Sequence, residues 1–405
     1  MALTADQVRA DFPGLARRVH ERLLVYLDNS ATSPTPRPVR QAIDDFYNLY
    51  SANVHRGLHT LSEEATAAFE GARARTAAFV GASGPEAVVF TRGSTSAINL
   101  VARSWGESLG PGDAILLSVA EHHGNLVPWQ MLAARRGVEL RFLELTPAGT
   151  LDLSALERLL TPEVKLVALA QVSNVLGYEL PVATIVAAAR AVGARVLLDA
   201  AQSVGHLPVD FGALGVDFLA FSAHKMCGPT GLGCLVARPE LLEAMEPIEG
   251  GGDMIVHVGL HKSTWNRSPF KFEAGTPPIA QAIGLAAAID YLEGVGLEWI
   301  AEHTRDLCDE AAARLAELPG VRVVGPLTGR LGPVAFTMAG VHPHDIATIL
   351  DGEGVAIRAG HHCAQPLHEL LGLESTARAS FYLTNQPSDI DALIDALEMV
   401  RKVFG

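Results

Sequence analysis

The sequence predicts an α/β protein with a mostly parallel sheet in a large domain and a smaller α+β domain after it. Two observations lead to this fold class. Strand-like and alanine-rich helical runs alternate through the first two-thirds of the chain, and the alternation stops after Gly275–Pro278. Such alternation is typical of crossover units, in which helices cover both faces of a parallel sheet. A chain of 405 residues has room for two or three domains of ordinary size.

Seven apolar segments are the predicted strands of the large sheet, and helical segments lie between several of them. The strands are Ala87–Thr91, Ala114–Val119, Glu139–Leu143, Lys165–Gln171, Arg195–Asp199, Asp217–Ser222 and Gly233–Ala237. The helical segments include Ser94–Trp105, Leu126–Arg136 and Val182–Val192. Only a short glycine-containing loop precedes the last strand, whereas a parallel crossover needs about a dozen residues. We therefore expect Gly233–Ala237 to run antiparallel to its predecessor.

The smaller domain begins with a long helical stretch, about Ile279–Leu318, and continues with short strands and two further helices. Its predicted strands are Val321–Val324, Pro333–Ala339, Val355–Arg358 and Ala377–Leu383, and its later helices begin near Pro343 and Pro387. We divide the chain into three parts: an N-terminal segment, 1–25, that packs with the small domain, a large domain, 26–290, and a small domain, 291–405.

Composition and charge exclude several classes of protein. With 31 basic and 45 acidic residues, the net charge is −14, which disfavours general binding to nucleic acid or to an anionic membrane. No apolar stretch reaches the roughly 18–20 uncharged residues of a bilayer span, and the first residues do not resemble a secretory signal. The four cysteines form no CxxC pair, so we expect no disulfide framework and no metal site. We therefore expect a cytoplasmic protein with reduced thiols.

Polar side chains follow the ends of five predicted strands, where ligands bind in open α/β sheets. Lys225 lies in this region, and a buried lysine loses proton affinity and can attack carbonyl groups. Asp199 ends a very apolar strand, so its carboxylate needs a cationic partner. A Schiff-base lysine and an aspartate that faces a pyridinium nitrogen are the protein part of a pyridoxal 5′-phosphate (PLP) site. The alternatives are a solvent-facing loop lysine and a structural aspartate at a helix cap.

Two further segments have residues that suit such a site. Gly93-Ser94-Thr95 lies between a strand and a helix, where backbone N–H groups favour an anion, although an ordinary helix N-cap gives the same pattern. Ser222 and His224 could add side-chain donors to a phosphate. In the second domain, Cys363 lies in a polar, basic loop that favours its thiolate, whereas the other three cysteines resemble small buried hydrophobic residues.

A series of motifs runs in order along nearly the whole chain. They are Tyr26-Leu27-Asp28-Asn29, Asn53-Val54-His55-Arg56-Gly57, Arg92-Gly93-Ser94-Thr95, Glu121-His122-His123, Val172-Ser173-Asn174-Val175-Leu176-Gly177, Asp199-Ala200-Ala201-Gln202, Ser222-Ala223-His224-Lys225, Phe272-Glu273-Ala274-Gly275-Thr276-Pro277, Arg358-Ala359-Gly360-His361-His362-Cys363-Ala364 and Arg378-Ala379-Ser380. Together they resemble the class V aminotransferase family, and more closely the SufS-type (group II) cysteine desulfurases. The resemblance implies the fold-type I fold of PLP-dependent transferases and conversion of L-cysteine to L-alanine.

The resemblance also implies which residues bind PLP. Lys225 would hold the cofactor as a Schiff base and later move the Cα proton, Asp199 would pair with the pyridinium nitrogen, and Gln202 would bond the ring hydroxyl. His122 would stack on the ring and take part in proton transfer. The phosphate would be held by Ser94, Thr95, Ser222, His224 and, from the neighbouring subunit, Thr276. The protein would then be a homodimer with a shared active site.

The same resemblance assigns the substrate-binding residues. Arg378 would form a bidentate pair with the carboxylate of L-cysteine, with Asn174 beside it, and Arg358 and Arg56 would line the same pocket. Cys363 would attack the substrate sulfur and carry it as a persulfide, leaving alanine.

The loop before Cys363 is short, as in the SufS type, so a dedicated acceptor protein of SufU or SufE type must come to it, for iron–sulfur cluster assembly. Val341–Asp345 resembles the form that serves a zinc-containing SufU-type acceptor, with His342 at the zinc; a local hydrogen bond at a helix start is the alternative. Leu383–Gln386 departs from the family pattern but touches none of these roles. The alternative functions are selenocysteine lyase, another class V PLP reaction such as transamination, which needs no thiol, and a non-enzymatic scaffold.

Overall fold

The central sheet of the large domain positions most of the residues discussed below. The structure is a computed structural model that describes residues 4–404, and within this range seven strands form one sheet. In spatial order they are Val88–Thr91, Gly233–Ala237, Phe218–Ser222, Arg195–Asp199, Val164–Ala170, Ala114–Ser118 and Glu139–Leu143. Gly233–Ala237 runs antiparallel to both neighbours, and the other adjacent strands pair in parallel. The predicted mostly parallel sheet and its antiparallel strand are confirmed.

Helices cover both faces of this sheet, and each face has its own apolar core. Leu197 and Leu198 are adjacent on one strand and lie in different cores, because successive side chains of a strand point to opposite faces. This two-sided burial explains why the strands are almost wholly apolar. The main helices of this part are Arg37–Leu49, Thr60–Phe79, Ser94–Arg103, Val127–Arg136, Leu156–Leu159, Val182–Ala191, Phe211–Leu214, Pro239–Ala244 and Ile279–Val295. A hairpin of Ile255–Val258 and Ser263–Trp265 was not predicted.

The smaller domain has an antiparallel sheet packed against helices around a third core. Over the described part of the chain its strands number four, in the order Val321–Val324, Pro333–Met338, Thr376–Ser380 and Arg358–Gly360. The helices are Leu297–Glu317, Pro343–Gly352, Gln365–Leu370 and Pro387–Phe404. An α+β domain is the predicted class.

Three predicted elements of this region have different bounds. The long helix breaks at Gly296, whose φ of 102° is not helical, so that Ile279–Val295 packs on the large domain and the next helix packs on the small one. The predicted strand Val355–Arg358 is two strands with different partners: Val355–Ala356 pairs with Val25–Tyr26, and Arg358–Gly360 pairs with the central part of the small sheet. The predicted strand Ala377–Leu383 ends at Ser380. The Phe381 amide still bonds the Gly332 carbonyl opposite it, but the Tyr382 amide donates to the Asn385 side chain at 3.0 Å.

The N-terminal segment contacts both domains, beginning with the helix Ala5–Ala10. The Arg9 guanidinium lies 3.0 Å from the Asp389 carboxylate of the small domain, whereas Val8 packs into a core of the large domain. Two short strands, Arg18–Val19 and Arg22–Leu23, follow. Residues 1–3 of the predicted segment lie outside the described residues, and the division at 25/26 and 290/291 stays a prediction.

Across residues 4–404, the structure has no helix that combines the length and the apolar character needed to cross a bilayer.

Candidate active site

A cleft of about 190 Å³ lies at the carboxyl ends of the central strands and reaches the small domain. It is lined by Ser30, Ala31, Ser94, Thr95, His122, Asn174, Ser222, His224, Lys225, Arg358, His362, Cys363 and Arg378. A floor pocket of about 20 Å³ shares several of these residues and adds Asp199 and Gln202. The cleft and floor bring together every predicted site residue except Thr276 and Arg56. Two larger clefts, of about 460 and 280 Å³, contain those two residues and no lysine or cysteine.

Asp199 and Lys225, an acidic and a basic residue, both line the floor pocket. Asp199 is 6% exposed, and its Oδ1 accepts a hydrogen bond from the Ala201 amide at 3.0 Å. No cationic side chain among residues 4–404 lies within ion-pair distance of this carboxylate, and burial raises its pKa. Burial also lowers the pKa of Lys225 to about 8, against the opposing effect of Asp199. The lysine is therefore poised to lose its proton near neutral pH.

The ends of two adjacent strands place Asp199 and Lys225 at the cleft. Asp199 ends its strand, and Lys225 ends the short turn Ala223–Lys225 directly after the next strand. The buried imidazole of His206 donates through Nε2 to the Lys225 carbonyl at 3.2 Å. Gln202 donates its amide to the Ser30 carbonyl at 2.9 Å, which places it in the floor pocket.

His122 is held in one tautomer. Its Nδ1 accepts a hydrogen bond from the Gly124 amide at 2.9 Å, so the proton of the neutral ring is on Nε2. Burial, followed by the charge of Lys225, lowers the pKa of His122 to about 3. The ring is therefore a neutral hydrogen-bond donor at pH 7, and its Nδ1 lone pair is not free to accept a proton.

Glu121 anchors this turn, a role that the sequence analysis missed. Its carboxyl group contacts Ser118 Oγ at 2.5 Å, Asn125 Nδ2 at 2.7 Å and the Ala170 amide at 2.9 Å. Burial raises the pKa of Glu121 to about 8. Ser118 and Asn125 are close to Glu121 in sequence, whereas Ala170 belongs to the neighbouring strand, a contact that no sequence pattern indicated.

The helix Ser94–Arg103 starts at the cleft, and its N-cap residue, Gly93, has no side chain that could cap it. Ser222 Oγ accepts from the Ser94 amide at 2.8 Å, and the exposed Thr95 hydroxyl and His224 lie on the same wall. Gly93 precedes the helix, and a Cβ on Gly233 would lie 2.5 Å from the Gly93 Cα. Glycine at 233 therefore permits the close approach that brings the helix start beside Ser222. An uncapped helix N-terminus with hydroxyl donors suits a bound anion.

Arg378 enters the cleft from the small sheet and is 2% exposed. Its Nη1 donates to the Asn174 carbonyl at 3.1 Å, and its Nη2 donates to Asp28 Oδ1 at 3.0 Å. Among the described residues its Nε has no partner. The guanidinium is thus fixed by the protein and keeps donors for an anion in the cleft. Arg358 is exposed at the cleft edge.

Cys363 is exposed at the cleft, whereas Cys227, Cys234 and Cys308 are buried. Burial raises the pKa of each buried thiol, and the structure therefore agrees with their interpretation as small hydrophobic residues. The Cys363 carbonyl accepts from the His123 amide at 2.7 Å, a contact that no sequence pattern indicated. The described residues contain no cluster of ligands that could hold a metal ion.

Arg56 and Thr276 lie on exposed surface outside the cleft. Arg56 pairs with Asp253 at 2.8 Å, and Thr276 lies in the larger cleft beside Arg92. Within one chain, neither residue lines the cleft that contains Lys225 and Cys363.

The fold and site define a PLP-dependent transferase of fold-type I. The chain belongs to the aminotransferase class-V family, whose model matches residues 25–393. A probable cysteine desulfurase of Streptomyces coelicolor is 49% identical over 411 residues, with 100% of this chain and 98% of the relative covered. The cysteine desulfurase CsdA of Escherichia coli, solved as an S-sulfonic acid, has a TM-score of 0.92 and 40% identity, with 100% of each chain covered. A C-DES variant solved with glycine covalently linked to its PLP cofactor has a TM-score of 0.83 and 26% identity, with 96% of this chain and 98% of that chain covered. The expected fold class and the expected class of PLP enzyme are confirmed.

Proposed function

We propose that this protein is a PLP-dependent cysteine desulfurase that converts L-cysteine to L-alanine and holds the sulfur as a persulfide on Cys363. One observation carries the proposal: the lysine with a lowered pKa, Lys225, and the exposed thiol of Cys363 line the same cleft although they come from different domains. The relatives' names support it, since both the S. coelicolor protein and CsdA are described as cysteine desulfurases.

The residues of the cleft fit PLP. Asp199 is a buried carboxylate that accepts one hydrogen bond among the described residues, from the Ala201 amide, which suits a protonated ring nitrogen. The uncapped helix start at Ser94, with Ser222 beside it, suits the phosphate. Lys225 has the lowered proton affinity that a Schiff-base lysine needs. When bound, PLP supplies an electron sink for the bond electrons released at the substrate Cα.

Arg378 is the residue that would bind the carboxylate of cysteine. Asn174 and Asp28 each accept from one Nη atom, and the buried Nε has no partner among the described residues, so Nε is the donor that we assign to the carboxylate. Arg358, at the cleft rim, would add positive charge with less burial. Both arginines line the same cleft as Lys225.

Proton and sulfur transfer then fall to separate residues. The Lys225 amine, uncharged in a large fraction of molecules near pH 8, takes the Cα proton and returns it to form alanine. His122, fixed as an Nε2–H donor, contributes a hydrogen bond and not a base. The Cys363 thiolate attacks the substrate sulfur. As the new S–S bond forms, the C–S bond breaks and leaves its electron pair on Cβ, which takes up the proton that the Cys363 thiol gave up. Alanine and a persulfide in equal amounts are the expected products.

The second candidate function is selenocysteine lyase. Selenide leaves more readily than sulfide, so this reaction depends less on Cys363. Turnover of cysteine and of selenocysteine by wild type and by Cys363→Ala separates the two functions. If the protein is a cysteine desulfurase, Cys363→Ala should lose turnover of cysteine and keep turnover of selenocysteine.

A homodimer with a shared site is the assembly that accounts for Thr276 and Arg56. Both are exposed away from the cleft of their own chain, and Leu58, close to Arg56 in sequence, is 97% exposed. We assign Thr276 to the phosphate of the neighbouring subunit. Mixing Lys225→Ala chains with Thr276→Glu chains should then restore activity, because one site of each mixed dimer is intact; failure of mixed dimers to gain activity would contradict the shared site.

The sulfur acceptor would be a protein that docks at the cleft, because the loop that carries Cys363 is pinned and short. We propose a SufS-type role in iron–sulfur cluster assembly with a SufU- or SufE-type acceptor. His342 is exposed at the start of the helix Pro343–Gly352, and its Nδ1 accepts from the His344 amide at 3.2 Å, which leaves Nε2 for a partner's zinc. His342→Ala should abolish stimulation by a SufU-type protein and leave basal alanine production unchanged, with His344→Ala as the matched control.

A further inference from the structure

Three side chains form a hydrogen-bonded chain beneath the loop that carries Cys363. Nε2 of His362 contacts the hydroxyl of Thr376 at 3.0 Å, and the same hydroxyl contacts Nε2 of His368 at 3.0 Å. Nδ1 of His368 contacts the carbonyl oxygen of Ala364 at 2.9 Å. The chain therefore starts at the residue before Cys363 and ends at the residue after it. We call the side chains of His362, Thr376 and His368 the loop clasp.

The donors and acceptors of the loop clasp fit together in one arrangement. A carbonyl oxygen only accepts, so Nδ1 of His368 carries a proton, and its Nε2 accepts when the ring is neutral. The Thr376 hydroxyl therefore donates to His368 and accepts from His362, whose Nε2–H also reaches the Thr376 carbonyl at 3.1 Å. Burial lowers the pKa of both rings, that of His362 to about 2, so both are neutral at pH 7. The Ala364 carbonyl therefore sets the direction of donation, which runs from His362 to Thr376 and from Thr376 to His368.

The loop needs this support because its backbone is strained. His362 and Cys363 have φ values of 52° and 58°, in the left-handed region that residues other than glycine rarely adopt. On one side, Asn174 Nδ2 donates to the His362 carbonyl at 2.6 Å and the His123 amide donates to the Cys363 carbonyl. On the other side, the buried Thr376 attaches the loop to a strand of the small sheet.

We propose that the loop clasp is a positioning device that holds the Cys363 thiol in the orientation needed for sulfur transfer, with Thr376 as its central residue. The inference rests on the proposed function, because it names the residues that place the sulfur-accepting thiol. Thr376 and His368 do not line the cleft, so they act through the loop and not on the substrate.

Two variants at Thr376 separate the effect of its hydroxyl group from the effect of its side-chain shape. Thr376→Val keeps the branched shape and removes the central hydrogen bonds, whereas Thr376→Ser keeps the hydroxyl. In the PLP-loaded enzyme, Thr376→Val should speed hydrogen exchange of the amides of residues 361–365 about tenfold and lower kcat about tenfold, the effect of leaving buried polar atoms unpaired. KM and the cysteine-dependent change in cofactor absorbance should stay as in wild type. Thr376→Ser should stay within about twofold of wild type in every measurement.

Exchange in the strand Arg195–Asp199 is the internal control, since general destabilisation would speed it as well. His368→Phe keeps the ring and removes two links of the same chain. Its combination with Thr376→Val should therefore cost about as much as either change alone. Equal loop exchange in Thr376→Val and Thr376→Ser, or multiplicative effects in the double variant, would overturn the proposal. Absence of alanine production by wild type would instead count against the proposed function, and the exchange comparison would still decide on the clasp.

Discussion

The pH at which Lys225 becomes reactive is set by its surroundings and can be measured on protein stripped of cofactor. Burial lowers the pKa of Lys225 to about 8, from an ordinary value of 10.5. Schiff-base formation needs the neutral amine, so about a tenth of the protein is competent at pH 7 and about nine-tenths at pH 9. The rate of PLP uptake should therefore rise about tenfold between these pH values and then level off. An ordinary lysine would give a rise of about a hundredfold with no plateau.

Stopped-flow absorbance at a series of pH values measures this rate, and borohydride reduction followed by peptide mass spectrometry locates the modified lysine. Asp199→Asn tests the cause, because the charge of Asp199 opposes burial and raises the pKa of Lys225. In this variant the midpoint should move to lower pH. A hundredfold rise through pH 9 in wild type, or a midpoint that moves upward in Asp199→Asn, would refute the reasoning.

Three further changes have defined outcomes. Cys363→Ser should keep the absorbance of bound PLP and lose alanine production from cysteine, because a hydroxyl cannot store the sulfur; full turnover in an amino-acid assay would count against the role. Arg378→Lys should raise KM for cysteine by about ten- to a hundredfold in steady-state kinetics. A guanidinium can bond Asp28 and the substrate carboxylate at the same time through different N–H groups, whereas a lysine ammonium lacks this planar set of donors. An unchanged KM would exclude this substrate contact. Arg73→Met should lower the free energy of unfolding in urea by about 3–5 kcal/mol, because the buried Glu273 loses its partner at 2.6 Å. Adding Glu273→Gln should recover part of that loss, and no recovery would contradict the pairing.

The sequence was sufficient to predict the residues at the strand ends. Asp199 and Lys225 follow strands whose apolar side chains fill two cores, and a charged residue stands out against such a background. The resemblance then placed Cys363 and Arg378 with them, and the structure puts all four at one cleft and its floor. Their roles in catalysis stay predictions.

Contacts between distant segments were not predictable in the same way. His123 acts through its amide and Thr376 through a hydroxyl, and neither has a local pattern that marks its partner. The helix break at Gly296 was missed because helical residues flank a single glycine on both sides. Thr276 and Arg56 line other clefts of the same chain, so the fold of one chain does not test their predicted roles.

The most direct test of the account follows the sulfur atom itself. The PLP-loaded protein is mixed with one equivalent of L-cysteine without reductant, and its peptides are analysed by mass spectrometry while released alanine is counted. The account predicts a mass increase of one sulfur on the Cys363 peptide in step with alanine. Alanine released while Cys363 stays unmodified and the sulfur appears on another residue or as free sulfide would contradict it.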